Sequence, residues 1–114
     1  MAKVIISKPL FRTIEKTFSR YEAHKIIDKL ESLEDNPHKG KTLSNIGGVV
    51  VKEIKYKQFK FYFLTDGNIL KFGTEDELAQ LLIKFVRMSE KKDQQKQIKS
   101  IKDVLLSMGF KGFN

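Results

Sequence analysis

Around a central Lys57-Gln58 pair, the run from Val49 to Leu64 (VVVKEIKYKQFKFYFL) alternates apolar and polar side chains, and the alternation predicts a tight β-hairpin. With Lys57 and Gln58 as the turn, Tyr56 pairs with Phe59, Lys55 with Lys60, Ile54 with Phe61 and Glu53 with Tyr62, because cross-strand partners share a face. The apolar pairs then turn toward a core, while Lys55, Lys60 and Tyr62 turn away from it. Two lysines directly opposite one another cost stability, so their juxtaposition points to an anion that completes the surface.

The rest of the chain supplies elements to pack against that hairpin. Val4, Ile5 and Ile6 are consecutive and β-branched, which predicts a short strand over Lys3 to Ser7, buried on both faces and ended by Pro9. Leu10, Phe11, Ile14 and Phe18 recur at helical spacing. A second helix follows from the Ser19-x-x-Glu22 capping box, with Ala23, Ile26, Ile27, Leu30 and Leu33 as its apolar stripe and Asn36-Pro37 as its stop. The stretch HKGKTLSNIGG, His38 to Gly48, reads as a loop with Leu43 and Ile46 pinned to the core edge.

Beyond the hairpin, Thr65-Asp66-Gly67-Asn68 predicts a turn and Ile69 to Phe72 a further strand. A second capping box, Thr74-Glu75-Asp76-Glu77, predicts a single helical turn over Glu75 to Gln80 before a last strand, Leu81 to Met88. Ile98, Ile101, Val104, Leu105 and Met108 give an amphipathic C-terminal helix closing near Gly109. The expectation is one α+β domain over residues 1–114: a small curved antiparallel sheet of four to five strands, an N-terminal helical hairpin and a C-terminal helix.

Charge narrows the class of partner. The chain of 114 residues carries 22 Lys and Arg against 14 Asp and Glu, a formal +8, which favours nucleic acid, an anionic membrane surface or an acidic protein. Residues 84–102 concentrate it, with seven basic side chains (Lys84, Arg87, Lys91, Lys92, Lys96, Lys99, Lys102) against Glu90 and Asp93. If the last strand runs through Arg87 into a helix starting at Lys91 and Lys92, these groups converge on the face bearing Lys55 and Lys60. With no signal-peptide pattern and no apolar run near the roughly 18 residues of a membrane span, a cytoplasmic protein that does not engage a membrane is expected.

Several chemistries are excluded by residue type. The chain has no cysteine, so disulfides, thiolate catalysis and cysteine zinc sites are out. Its two histidines, His24 and His38, stand apart on a helix and in a loop, which predicts no metal site, and no phosphate-cradling glycine loop is present. What remains open is metal-free RNA cleavage by attack of the 2′-hydroxyl on the adjacent phosphate. That reaction asks for a base, an acid and cations around the pentacoordinate transition state. Clustered lysines with Arg87 would supply charge, and a lysine crowded by other cations would serve as a base. Tyr62 would offer a ring on which an unpaired base stacks.

Three segments carry a family resemblance. LEDNPHKGKTL, Leu33 to Leu43, is similar to the Asn-Pro-x-x-Gly-Lys-x-Leu stretch of the RelE/ParE superfamily of toxins from toxin–antitoxin pairs; EIKYKQFKFYF resembles its basic hairpin; FVRMSEKKDQQKQIKSI resembles the Phe-x-Lys-Lys-x-x-x-Lys signature of the HigB-like branch. The resemblance spans nearly the whole chain and implies a RelE-like fold. It also implies ribosome-dependent cleavage of mRNA without metal or other cofactor, inhibition of translation, and a cognate antitoxin that neutralises the basic face, the toxin being a monomer or part of a toxin–antitoxin hetero-oligomer. Carried over by position, catalytic roles fall on Lys55, Lys60, Arg87 and Lys91. RNA contacts fall on Lys52, Lys57, Tyr62 and Lys92, with Lys52 and Lys57 flanking the same surface.

The chain departs from the family at identifiable positions. Lysine replaces arginine at 55 and 60, which keeps the charge and loses the bidentate fork. Gln97 stands where RelE members place a tyrosine, and Glu53 where some have lysine. Two other readings stay open on sequence grounds: a ParE-like toxin that inhibits DNA gyrase by binding, and a non-catalytic RNA-binding or corepressor relative.

Overall fold

The structure, a computed structural model, describes residues 2–46 and 48–88 together with positions 99 and 103. Strand β1 (Lys3–Ile6) leads into a helical hairpin, α1 (Lys8–Thr17) and α2 (Arg20–Glu31), and a short 3-10 turn over Ser32–Glu34. Four strands follow, β2 (Lys41–Ile46), β3 (Val49–Tyr56), β4 (Phe59–Thr65) and β5 (Ile69–Phe72), and then helix α3 (Glu75–Met88). The sheet order is β1-β5-β4-β3-β2. All neighbours are antiparallel except β1 and β5, so the sheet is mixed rather than purely antiparallel.

Local chemistry starts each helix, for α2 and α3 at the capping boxes the sequence indicates and for α1 at Ser7, which the sequence reading assigns to the first strand. The Ser7 hydroxyl accepts from Leu10 N at 3.2 Å and Pro9 sits in the first turn, where its missing N–H costs nothing. Ser19 caps α2 by accepting from Glu22 N at 3.2 Å. That helix gives way to the 3-10 turn at Ser32, ahead of Asn36-Pro37. Thr74 and Glu77 form a complete capping box: Thr74 Oγ1 accepts from Glu77 N at 3.3 Å, and Thr74 N donates to Glu77 Oε1 at 2.9 Å.

The helical hairpin covers one face of the sheet. Ile14, Ile26, Leu30 and Leu33 pack there against Phe63, Leu70 and Phe72, with the Phe63 and Phe72 rings 4.6 Å apart. Helix α3 covers part of the opposite face, where Leu78, Ala79 and Leu82 lie against Ile46, Val51 and Leu64. The sheet is therefore sandwiched over part of its area.

Three expectations are corrected. Leu81 to Met88 is no strand but the continuation of α3: the capping box nucleates a helix, nothing breaks it before Met88, and Leu78 and Leu82, one turn apart, both meet the sheet. Residues 41–46, read as loop, form edge strand β2, whose mostly polar side chains hide the strand signal and whose register shifts between Thr42 and Ser44. Strand β1 is not buried on both faces, because it lies at the opposite edge with β5 as its one neighbour. The expected C-terminal helix, Ile98 to Met108, lies outside the described residues except at 99 and 103, which are helical.

Candidate nucleic-acid interface

The β3–β4 hairpin turns at Lys57 and Gln58, and Lys57 takes the left-handed conformation (φ 55°) that matches a two-residue turn to the twist of the strands. The register is the one the alternation predicts: Tyr56 opposite Phe59, Lys55 opposite Lys60, Ile54 opposite Phe61, Glu53 opposite Tyr62. Lys55 and Lys60 are both exposed and share a face. Along that face the environment grades from Val51 and Leu64, covered by α3, through Glu53 and Tyr62, to the open lysine pair at the hairpin end.

Tyr62 is half-buried and packs against the α3 cluster. Burial pushes its phenol pKa up, and the carboxylates of Glu53 and Glu75 push the same way, so the hydroxyl keeps its proton at neutral pH. Glu53 itself is only 6% exposed.

Two expected RNA contacts are placed elsewhere. Lys52 pairs with Phe63 and so lies on the face of the helical hairpin, not beside Lys55; it is 8% exposed, its Nζ donates to the His38 carbonyl at 3.1 Å, and it stands 6.0 Å above the Phe63 ring. Lys57 is drawn back toward α2, donating to Glu22 Oε1 at 2.9 Å. The Tyr56 hydroxyl donates to the same carboxylate. Donation from Tyr56, then from Lys57, holds the Glu22 carboxyl below the ordinary carboxylate range.

The basic segment is only partly placed. Arg87 is carried on the last turn of α3, with its side chain outside the described part of the structure, so the route by which a final strand would deliver it to the lysine pair does not exist. Lys91, Lys92 and Gln97 lie outside the described residues. His24 and His38 are both exposed.

Beside the lysine pair the structure adds a groove that the sequence did not reveal. Strand β5 pairs with β4 only from Phe63 to Thr65, so the stretch Phe59 to Tyr62 has no neighbouring strand on that side among the described residues. A groove of about 280 Å³ follows this open rim. Leu10, Ile14, Phe18 and Phe59 give it an apolar wall; Lys60, Tyr62 and Glu75 give it a polar one. Glu75 is half-buried, and burial, then neighbouring Asp76, raises its pKa. The second capping box, legible in the sequence, holds the signal: it starts α3 just after Gly73 and Thr74, and only the position of β5 beside β4 shows that this sets Glu75 at the rim. A larger hollow of about 750 Å³, between Lys71 and Lys84 along α3, includes neither member of the lysine pair.

Among the described residues, no three His, Asp or Glu side chains are grouped to hold a metal ion, and no helix is long and apolar enough to cross a membrane. Comparison with protein-family models, with curated proteins and with solved structures finds no match to the chain.

Proposed function

We propose that this chain is the toxin of a type II toxin–antitoxin pair with a RelE-like fold, an endoribonuclease that cuts mRNA on the ribosome and so arrests translation. The observation that carries the reading is the Lys55–Lys60 pair: two exposed lysines directly opposite each other in the hairpin register, with Tyr62 next along the same face. Such a pair opposes folding by repulsion and favours binding of a phosphate backbone, whose negative charge relieves it. Lys55 and Lys60 hold the scissile phosphate and stabilise the charge that develops on it, and Tyr62 lies beside them. The same cationic end is where an acidic segment of an antitoxin would bind and silence the toxin.

The test is to incubate the chain with ribosomes and a reporter mRNA and to map new 5′ ends. Cleavage that needs ribosomes and resists chelators is the expected result, and reversing charge at Lys55 and Lys60 together abolishes it while the melting curve stays cooperative. Intact mRNA with DNA breaks in expressing cells overturns the reading in favour of gyrase poisoning. Intact mRNA with retained RNA binding overturns it in favour of a non-catalytic RNA-binding or corepressor role.

A further inference from the structure

The reaction proposed above needs a proton acceptor for the 2′-hydroxyl and a donor for the departing 5′ oxygen. In that reading Lys55 and Lys60 are engaged with the phosphate, so the groups next to them are the ones to consider for proton transfer. Two carboxylates neighbour Tyr62. Glu53 is 6% exposed beside the α3 cluster, where a ribose cannot reach it. Glu75 lines the open groove together with Lys60 and Tyr62. The opposite wall is aromatic and aliphatic: Phe59 is 39% exposed and is held edge-on by Phe18, ring centroids 4.7 Å apart. From α1 only the uncharged Thr13 and Thr17 contribute polar groups, and from α3 Asp76 is the charged neighbour of Glu75.

A groove with an apolar wall facing a cation, a phenol and a carboxylate suits one nucleotide of a single strand, with its base against Phe59 and its phosphate at Lys60. We infer that Glu75 is the general base and Tyr62 the general acid of the cleavage, an assignment that rests on the nuclease reading. Glu75 takes the 2′-hydroxyl proton as the O2′–P bond forms. The P–O5′ bond breaks, the 5′ oxygen takes the Tyr62 proton, and a 2′,3′-cyclic phosphate and a 5′-hydroxyl result. Water then removes the proton from Glu75 and returns one to Tyr62, so the pair is restored without any other reactant. Lys60 offsets the charge on the phosphorane. The environment fits the division of labour, since burial and Asp76 make Glu75 a stronger base than an ordinary carboxylate, and burial keeps Tyr62 protonated.

The experiment is single-turnover cleavage on ribosomes of two reporter mRNAs, one ordinary and one with sulfur in place of the 5′ bridging oxygen at the cut site. A thiolate leaves without a proton, so only the acid becomes dispensable. Glu75→Gln is expected to slow both substrates by about 10²- to 10⁴-fold, the usual range for one acid–base group. Tyr62→Phe is expected to slow the ordinary mRNA by a similar factor and to cut the sulfur substrate at nearly the wild-type rate. Should Glu75→Gln melt low, Glu75→Asp gives the same reading, with a reduced rate that the sulfur does not restore. A Glu75→Gln rate within a few-fold of wild type, or one restored by the sulfur, overturns the assignment while leaving the nuclease reading intact. A wild-type chain that cuts neither substrate overturns both.

Discussion

Lys52 and Lys55 are three residues apart on β3 and project from opposite sides of the sheet: the first is buried against Phe63 with its ammonium on the His38 carbonyl, the second exposed opposite Lys60. One lysine therefore serves the fold and the other the surface. Lys52→Met keeps the aliphatic stem and removes the donor. Stability should fall by about 1 kcal/mol, the typical net contribution of such a hydrogen bond, with ribosome-dependent cleavage unchanged once the protein is folded. Chemical denaturation alongside the mRNA assay checks both halves.

Lys60→Glu turns the like-charged pair with Lys55 into an opposite-charged one. The variant should be more stable than wild type by roughly 0.2–1 kcal/mol and at the same time lose RNA cleavage. A gain in melting temperature accompanied by loss of activity is the signature of a pair kept for binding rather than folding; a loss of both would show that Lys60 supports the hairpin.

Gly40 carries φ +103°, and a Cβ there would meet the Glu53 carbonyl oxygen at 3.0 Å and the Phe63 ring at 3.3 Å. Gly40→Ala should cost about 1–3 kcal/mol through the strained backbone conformation, with the close backbone contact adding to it. Hydrogen exchange should show the loss first along β2 and β3, because the chain at Gly40 leads directly into β2.

At Glu77, burial pushes the carboxyl pKa up, but hydrogen bonds from Ser7 at 2.6 Å and from Thr74 outweigh it and leave the group below its ordinary 4.5. A group with a depressed folded-state pKa stabilises the fold above its unfolded value and loses that contribution as pH falls through the folded one. Glu77→Gln should therefore be less stable than wild type at neutral pH, and the difference should shrink as pH drops below about 4.5. Thr74→Ala, which removes the other half of the box, should cost about 1 kcal/mol. Melting curves from pH 7 to pH 3 measure both.

The sequence by itself determined what is settled within a few residues: the two-residue turn at Lys57-Gln58, hence the whole β3–β4 register, and the Ser19 and Thr74 starts of the second and third helices. Sterics and short-range hydrogen bonds suffice for those. Period two also carried the position of Lys52, on the side of Ile54 and Tyr56, but a lysine within an apolar run reads as solvent-facing until the His38 carbonyl that receives it is seen. Only the tertiary structure decided that Leu81 to Met88 is helical, that 41–46 adds an edge strand and that α3 roofs part of the face bearing the lysines. An apolar run satisfies either backbone geometry, and the choice falls to whichever buries its side chains; here adjacent Leu78 and Ala79 are buried together with Leu82 against Val51 and Leu64, which a helix allows and a strand, turning 78 and 79 to opposite sides, does not. The groove that joins Glu75 to Lys60 has the same origin, because a residue at the start of one element and a residue at the open rim of another become neighbours only when the sheet between them is complete.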